Sequence, residues 1–455
     1  MRLATSIMLK RKRTVLAKGT AVLVSIAIFG TVSAQNNSPY SRYGVGDLTP
    51  STNIVNRGMG SVTAADADFL HINFSNPASY SAFQVGTEAK SKRVISGRVI
   101  LDAGVNFESR TLRAPNRPDK FTATDLYFSY VQIGVPLRKG WGLSFGLRPL
   151  SRIGYKIDQT KRISNVDSSI TEYEGSGGTY LPTIGTGFAI KNFSAGVNVG
   201  YLFGRRESAT SLGLINDTVQ YANSVHRTTT SFGSIYANAG MQYTIFLDRA
   251  KRQYLRLGAT GSLKQSLNAT QDLTVGTFND DPNNVVDTVY SINGTEGKVV
   301  YPASYTFGFM AGGSNEKNGA WQFGADVVHT AWSDYRFFGA KDAVESNTQI
   351  RVGGSFRPDY NPRSYFSAVT YRAGFYAGSD YITAGGKLPA WGGSLGLGLP
   401  IANYNPAARG QFTIINLAFE YSKRGNNDNP LKENMFRLSL GLNLSDFWFN
   451  KRKYD

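Results

Sequence analysis

Few residues of this chain have the chemistry or the spacing of a catalytic or metal-binding site. Its 455 residues include no Cys and only three His, and the His residues lie far apart: His71, His226 and His329. The absence of Cys excludes a thiol nucleophile, Cys-ligated zinc, an iron–sulfur cluster and a disulfide framework. No Ser–His–Asp motif is recognisable, and Asp66-x-Asp68 lacks the central Gly and bidentate Glu of a calcium loop. We therefore expect neither an enzyme nor a cofactor.

Three basic residues are the best candidates for binding an anionic group. Arg148, Arg152 and Lys156 recur every four residues on the polar face of one alternating segment. Two interpretations are open: they attract a carboxylate head group, or they bridge to acids nearer the N-terminus such as Asp66 and Asp68. We favour the bridge, because charges that face a filled interior need partners.

The elements that must position these residues are β-strands. Apolar residues alternate with small or polar ones along many segments after residue 95, as in Trp141-Gly142-Leu143-Ser144-Phe145-Gly146-Leu147. This period of two predicts strands with one apolar face and one polar face. The polar face is unusually rich in Gly, which the outer face of a soluble sandwich does not require.

The rhythm of the connections favours a membrane barrel over a sandwich. We count fourteen strands, which start near residues 97, 123, 141, 180, 193, 225, 253, 300, 319, 347, 365, 389, 410 and 435. Short turns alternate with long connections, including 158–179, 206–226 and 266–299, as in outer-membrane barrels. Segment 266–299 is rich in Asn, Asp and Thr, which suits a solvated or protein-contacting loop. The sequence predicts an all-β fold, a 14-stranded antiparallel transmembrane β-barrel.

Tryptophans and the N-terminus fit that placement. The five Trp residues lie near proposed strand ends, where aromatic girdles meet the membrane interface: Trp141, Trp321, Trp332, Trp391 and Trp448.

Residues 1–34 carry six basic residues, no acid, and an apolar stretch before Val32-Ser33-Ala34, which predicts a signal peptide. We favour this over a nucleic-acid-binding arm and expect export to the outer membrane of a Gram-negative bacterium, with no nucleic-acid partner.

Residues 35–96 lack the clean alternation and carry a set of motifs. Asn56-Arg57-Gly58-Met59-Gly60, the acidic stretch 64–68 and Asn76-Pro77-Ala78 resemble the hatch of the FadL-like (long-chain fatty acid transporter) family, and 38–44 resembles its Bacteroidetes members. The resemblance implies a fourteen-stranded barrel, plugged by an N-terminal lumenal hatch, that imports hydrophobic compounds through an opening in its wall. The chain then divides into the predicted signal peptide at 1–34, the hatch implied by the resemblance at 35–96 and the barrel at 97–455. The implied hatch residues are Gly58, Gly60, Asn76, Pro77 and Ala78.

Pro149 is the candidate for a lateral gate. A gap in the wall needs broken strand pairing, and Pro supplies this because it lacks a backbone donor. By the resemblance, the opening of the family also lies at the third strand, where Pro149 is placed. The alternative is a bulge near the outer rim without a gating role.

Two functions fit these sequence features. The first is an outer-membrane channel for passive uptake of hydrophobic, fatty-acid-like molecules, with the hatch as its gate. The second is a barrel that does not transport and serves as a scaffold or accessory subunit of an outer-membrane secretion or assembly complex. The expected partners are outer-membrane lipid together with either hydrophobic small molecules or other outer-membrane proteins.

Overall fold

The computed structural model describes most of the chain after the N-terminal region. The predicted signal peptide and the basic tail after residue 448 lie outside the described residues. The described ranges are 38–87, 94–115, 118–163, 167–215, 222–248, 252–279, 281–315, 319–358, 364–401 and 411–448.

The described residues form one sheet with a few short helices. The strands are β1 Asp47–Leu48, β2 Val85–Thr87, β3 Val94–Arg113, β4 Lys120–Arg138, β5 Trp141–Ile163, β6 Asp167–Ile190, β7 Phe193–Ile215, β8 Asn223–Asp248, β9 Gln253–Ser262, β10 Gln265–Phe278, β11 Val285–Tyr301, β12 Ser304–Asn315, β13 Gly319–Thr330, β14 Arg336–Phe337, β15 Asn347–Arg357, β16 Thr370–Ser379, β17 Pro389–Ile401, β18 Phe412–Arg424 and β19 Lys432–Trp448. The helices are α1 Ile54–Arg57 and α2 Tyr365–Ala368, with 3₁₀ turns η1 Pro39–Arg42, η2 Pro77–Ala82 and η3 Trp332–Asp334.

Sixteen of these segments form the fourteen strands of a closed barrel. β9 and β10 both pair with β8 and together form one bent barrel strand, and β11 and β12 form the next one. The short strands β1, β2 and β14 are not part of the ring. β19 pairs antiparallel with β3, from Lys432 opposite Arg113 to Trp448 opposite Gly97, which closes the barrel. The prediction of a 14-stranded antiparallel barrel is confirmed.

The outer face of the barrel is an apolar band. Side chains such as Phe145, Ile184 and Phe323 are 40–55% exposed on this face. A soluble monomer rarely exposes so large a contiguous apolar surface, whereas a lipid-facing wall requires one. No described helix is long and apolar enough to cross a membrane.

The Trp residues are placed only partly as expected. Trp141, Trp321 and Trp391 are about two-fifths exposed near strand ends, as in an aromatic girdle. The prediction was wrong for Trp332, which is 2% exposed in η3 and packs inside the barrel. The side chain of Trp448 lies outside the described residues.

The three connections expected to be long outer loops are mostly strands. Residues 158–179 belong largely to β5 and β6, residues 206–226 to β7 and β8, and residues 266–299 to β10 and β11. Apolar and polar residues do not alternate regularly over most of these extensions, and β11 is exposed at every residue from Val286 to Glu296. The period-two signal that marks a half-buried strand is therefore missing there. One side of the barrel therefore continues well beyond the apolar band, at what we call the upper end. The end with the short turns, such as the one between β4 and β5, is the lower end.

The largest apolar core lies inside the upper half of the barrel. Trp332 and Tyr335 from the connection between β13 and β15 and Tyr381 from the connection between β16 and β17 turn inward and are at most 2% exposed. They pack with residues of the N-terminal region and the inner wall: Tyr40, Val45, Leu150, Leu181, Leu202, Phe232, Tyr236, Leu267 and Val299. The upper lumen is therefore filled by side chains.

Candidate functional site

The N-terminal segment, which we define as residues 38–87, is attached to the inner wall of the barrel by buried polar contacts. Arg57, the last residue of α1, is 1% exposed. Its guanidinium donates hydrogen bonds to Asn106 Oδ1 at 2.5 Å, Ser439 Oγ at 2.9 Å and Ser129 Oγ at 3.1 Å. These three acceptors lie on β3, β19 and β4, so one side chain joins α1 to three neighbouring strands. Since a buried guanidinium without partners is costly, this contact fixes the position of α1.

Glycines allow the N-terminal segment to touch the wall. Gly60 has φ +65°, a left-handed conformation that favours Gly, and a Cβ there would lie 2.6 Å from the Val352 carbonyl oxygen. A Cβ at Gly58 would lie 3.0 Å from the Cα of Gly396. On the wall, a Cβ at Gly374 would lie 2.0 Å from the backbone nitrogen of Gly60. Glycine on both surfaces permits this backbone-to-backbone contact.

The Asn-Pro-Ala motif forms the start of η2. The side chain of Asn76 accepts a hydrogen bond from the Ala78 backbone at 3.1 Å and donates one to the Ala64 carbonyl at 2.6 Å. Pro77 occupies the first turn, where a missing backbone donor carries no cost. A Cβ at Gly196 of β7 would meet the Pro77 carbonyl at 2.5 Å. The five motif residues are therefore all in the contact zone between segment and wall.

Buried charges bind the start of the N-terminal segment to the wall. Asp47 of β1 pairs with Arg110 of β3 and with Arg424 of β18, the second at 2.9 Å. Burial alone would raise the pKa of Asp47, but the two arginines outweigh it and hold that pKa below its ordinary value. Further pairs connect these arginines to wall carboxylates. The whole set, which we call the lumenal ion network, is Asp47, Glu108, Arg110, Asp380, Glu420, Arg424, Glu433 and Arg437.

The backbone pairing of the barrel wall is broken between β4 and β5. The two strands pair from the lower turn up to Val131 opposite Leu147. Above that level β4 pairs only with β3, and β5 continues along β6 to Ile163 opposite Asp167. Outward side chains such as Phe128 of β4 lie just above the last pair, so the break begins within the apolar band.

The N-terminal segment occupies the free edge of β5. Asp47 and Leu48 of β1 pair with Arg152 and Ser151 of β5 in antiparallel register. The Thr49 backbone donates to the Leu150 carbonyl and the Ser38 backbone to the Gly154 carbonyl, each at 3.0 Å. The edge of β5 therefore takes its hydrogen bonds from residues 38–49 where it would otherwise take them from β4.

Pro149 lies at the break, beside a bulge. The register between β5 and β6 shifts between Pro149 and Ser151, and Leu150 is 8% exposed and packs into the lumenal core. The Pro149 carbonyl accepts a hydrogen bond from the Thr49 hydroxyl at 2.8 Å. The bulge between β5 and β6 and the break between β4 and β5 therefore coincide at Pro149, the residue proposed as a gate. The N-terminal segment contacts the chain at both.

The three candidate basic residues have different partners. Arg152 reaches across the break to Asp125 of β4 and lies 3.4 Å from the ring centroid of Tyr127. Arg148 is 7% exposed, donates to the Ser51 carbonyl at 3.0 Å and lies over the ring of Phe74. Lys156 pairs at 2.8 Å with Glu172 in an exposed position.

The acids proposed as their partners are engaged elsewhere. Asp66 contacts His71 Nε2 at 2.7 Å and Asn56 Nδ2 at 2.7 Å, and Asp68 Oδ1 accepts from the Leu70 backbone. The structure therefore does not pair these acids with the three basic residues of β5. Arg148 does bridge to the N-terminal segment, but through a backbone carbonyl.

Two cavities lie on opposite sides of the N-terminal segment. The upper cavity has a volume of about 380 Å³ and is lined by most of the lumenal ion network, with Leu150, Tyr301 and Trp332 on its apolar side. The lower cavity, of about 740 Å³, opens at the lower end and is lined by Phe69, Phe246 and Arg372 among others. The two cavities have no described lining residue in common, so the segment separates them.

No sequence pattern pointed to the lumenal ion network. Its members are scattered over β1, β3, β18, β19 and one connection, and no local motif marks them. The network could have been found only by noting acidic and basic residues on the lumenal faces of strands that become neighbours when the barrel closes. Among the described residues, no group of three or more His, Asp or Glu side chains is arranged to hold a metal ion.

Solved structures with a similar fold are hydrocarbon channels. The Pseudomonas putida toluene transporter TodX has a TM-score of 0.52 and 14% identity, and the match covers 90% of this chain and all of that one. The CymD monoaromatic hydrocarbon channel has a TM-score of 0.51 and 12% identity over 89% and 99% of the two chains. A Pseudomonas aeruginosa FadL homologue matches with a TM-score of 0.49 and 14% identity over 89% and 100%. At these identities the likeness to TodX and CymD establishes the fold alone.

The family assignment comes from the sequence as a whole. No curated protein matches the chain. A family model described as BamG matches residues 16–455, which is nearly the full length. The chain therefore belongs to the BamG family.

Proposed function

We propose that this protein is a plugged outer-membrane barrel that serves as a scaffold or accessory subunit of an outer-membrane secretion or assembly complex. Barrels of this architecture are typical of the outer membrane of Gram-negative bacteria. The observation that carries the proposal is the lumenal ion network together with Arg57. These buried contacts fix the N-terminal segment to β3, β4, β18 and β19.

The polarity of the interior supports this proposal. A hydrophobic solute that moved from the upper cavity to the wall break would pass Asp47 and Arg110, which are buried and paired, and the partly exposed pair of Arg152 with Asp125. Displacing the partners of such charges costs several kcal/mol for each ion. The upper lumen is also filled by Trp332, Tyr335 and their neighbours.

The family and the upper extension favour protein partners. The name BamG hints at partners among outer-membrane proteins. In the upper extension, β11 is exposed to solvent on both faces from Val286 to Glu296, a surface suited to protein contact. β11 pairs with β10 on one side, and in the described residues its other edge has no strand partner from Val285 to Gly297. Unpaired edges are sites of strand addition by other chains.

Native mass spectrometry of the mature protein, extracted gently from its own outer membrane, tests the proposal. We expect a stoichiometric complex with other envelope proteins and a barrel free of apolar adducts. Asp287→Lys, at the exposed edge of β11, and Asp446→Lys, at the lower end of β19, serve as matched charge-reversal variants for locating the contact. A monomer that carries fatty-acid-sized adducts would contradict the scaffold role.

The wall break favours a second candidate, a channel for hydrophobic small molecules. A closed ring removes every unpaired edge, so an interrupted ring within the apolar band needs an explanation. Solved barrels of this fold include a toluene transporter and a monoaromatic hydrocarbon channel. In this candidate, residues 38–49 leave the edge of β5 and a solute exits beside Pro149. Uptake of radiolabelled toluene and dodecanoate by cells with and without the protein tests it; equal uptake would exclude the channel.

A further inference from the structure

The lower cavity differs in chemistry from the rest of the lumen. In the upper lumen the aromatic side chains are packed into a buried core, whereas here Phe246 of β8 is 50% exposed and Phe69 of the N-terminal segment is 37% exposed. Large aromatic side chains left open to solvent in a cavity offer an apolar surface to a ligand. The cavity has a volume of about 740 Å³, which is within the range of specific binding sites.

A cation with few partners faces this apolar surface. Arg372 of β16 lines the cavity, and in the described part of the chain its guanidinium makes one side-chain hydrogen bond, to Asn416 Oδ1 at 3.1 Å. No carboxylate of the described residues forms an ion pair with Arg372. A guanidinium has five donors in a fixed fork and favours a bidentate carboxylate partner.

The charge of the cavity selects an acidic ligand. Its described lining includes three arginines, Arg252, Arg357 and Arg372, and one carboxylate, Asp68. The Asp68 carboxylate accepts a hydrogen bond from the Leu70 backbone. The lining therefore has an excess of positive charge next to two exposed aromatic rings.

The surroundings of Arg372 are held in place from the N-terminal segment. Asn416 donates a hydrogen bond to Asn443 Oδ1 at 3.0 Å, and Asn443 donates to the Leu70 carbonyl at 2.9 Å. This chain of amides links Arg372 to the residue that follows Phe69. The cation and the aromatic ring are therefore parts of one preorganised surface, which lowers the entropic cost of binding.

We propose that the lower cavity is a docking site for an acidic peptide segment with aromatic or aliphatic side chains, presented from the periplasmic side by a partner protein. Arg372 binds a carboxylate of the segment, and its apolar side chains pack on Phe69 and Phe246. The inference rests on the proposed function, since it supplies the partner contact that a subunit needs. A peptide is favoured over a transported solute because the N-terminal segment closes the cavity from above.

Binding of defined peptides to the full barrel in phosphatidylcholine nanodiscs tests the proposal. The probe is a rhodamine-labelled Phe-Leu-Asp-Phe-Glu-Leu peptide, followed by fluorescence anisotropy, and the comparison peptide carries Lys at both acidic positions. We expect saturable binding of the acidic peptide and at least tenfold weaker binding of the Lys peptide. Equal binding of the two peptides, or no binding of either, would overturn the proposal.

Variants locate the contact. Arg372→Gln and Phe69→Ser are each expected to weaken binding of the acidic peptide about tenfold. Arg113→Gln, at the upper end of β3, is the matched control and is expected to leave binding unchanged. All variants are first compared by thermal unfolding, so that loss of folding is not read as loss of binding. Unchanged affinity in Arg372→Gln would refute the site.

A competition arm separates a peptide site from a site for small amphiphiles. We expect dodecanoate below its micellar concentration not to displace the acidic peptide. Displacement would overturn the proposal and assign the cavity to fatty-acid-like ligands. The scaffold function is tested separately by native mass spectrometry: a partner complex that survives Arg372→Gln would refute this site and leave the proposed function standing.

Discussion

At the scale of single residues, attachment of the N-terminal segment to the wall depends on buried charges that have partners on both. Asp47 and Arg57 belong to the segment, and each contacts side chains on strands that are far apart in sequence. Removing one member of a buried pair costs more than the pair contributes, because the other charge remains buried. Individual substitutions should therefore release the segment measurably.

Asp47→Asn should loosen the start of the N-terminal segment. Arg110 and Arg424 would lose a shared carboxylate but keep Glu433, so we expect a loss of about 2 kcal/mol, or roughly 30-fold in local opening. Hydrogen exchange of residues 38–52 measures this. Asp287→Asn, exposed on β11, is the control, and equal protection in both variants would show that the ion network does not hold the segment.

The pair formed by His71 and Asp66 should make the segment sensitive to pH. Burial lowers the pKa of His71, but Asp66 outweighs it and raises that pKa above its ordinary value. The stabilisation is therefore complete below the ordinary pKa of His, near 6.5, and is lost as the pH rises through the raised pKa.

Thermal unfolding in detergent at several pH values measures this effect. We expect the difference in midpoint between the wild type and His71→Gln to be largest near pH 6 and to shrink at alkaline pH. The pKa of Asp66 is lowered, so its own contribution persists until strongly acidic pH. A difference that grows with rising pH would contradict the assignment.

At the scale of elements, the sequence predicted the half-buried strands and missed those with two solvated faces. The alternation from Trp141 to Leu147 predicts a strand, whereas residues 286–296 of β11 are exposed on both faces and their composition predicts a loop. Pro149 was identified as a point of broken pairing because proline lacks a donor. That residues 38–49 occupy the freed edge could not be predicted, since this pairing joins positions about 100 residues apart.

Glycine on the inner wall should be needed for docking of the N-terminal segment. A Cβ at Gly258 of β9 would lie 1.9 Å from the Ala64 carbonyl oxygen, so Gly258→Val is expected to displace the segment. Limited proteolysis should then cleave residues 38–87 at least tenfold faster. Gly393→Val is the matched control, because the nearest atom to a Cβ there lies 3.9 Å away. Equal cleavage of the two variants would mean that close contact at Gly258 is unnecessary.

At the scale of the whole molecule, the sequence predicted the barrel but left the function open. The number of strands and their antiparallel closure could be predicted from the alternation of apolar with polar residues and of short with long connections. Both are local properties of the sequence. The lumenal ion network, the break between β4 and β5 and the separation of two cavities depend on contacts made only after closure. The filling of the upper lumen likewise depends on Trp332 and Tyr381, which turn inward from their connections.

A filled lumen predicts low conductance. In planar bilayers the wild-type barrel should conduct ions far less than a variant lacking residues 38–52, because that segment carries Asp47 and covers the edge of β5. Asp47→Asn is expected to show brief openings and Asp287→Asn none. A large, steady conductance in the wild type would contradict a plugged barrel.

A disulfide tether tests whether the N-terminal segment stays in place while the protein works, as a plugged scaffold requires. Leu48 and Ser151 are direct partners of β1 and β5, and the chain has no other Cys, so Leu48→Cys with Ser151→Cys joins the segment to the edge of the break. The measurement is whether the oxidised variant replaces the wild-type chain in cells, judged by growth and by the amounts of other outer-membrane proteins. For a plugged scaffold we expect full replacement with or without a reductant. Loss of function that a reductant restores would show that the segment must move, as in a gated channel.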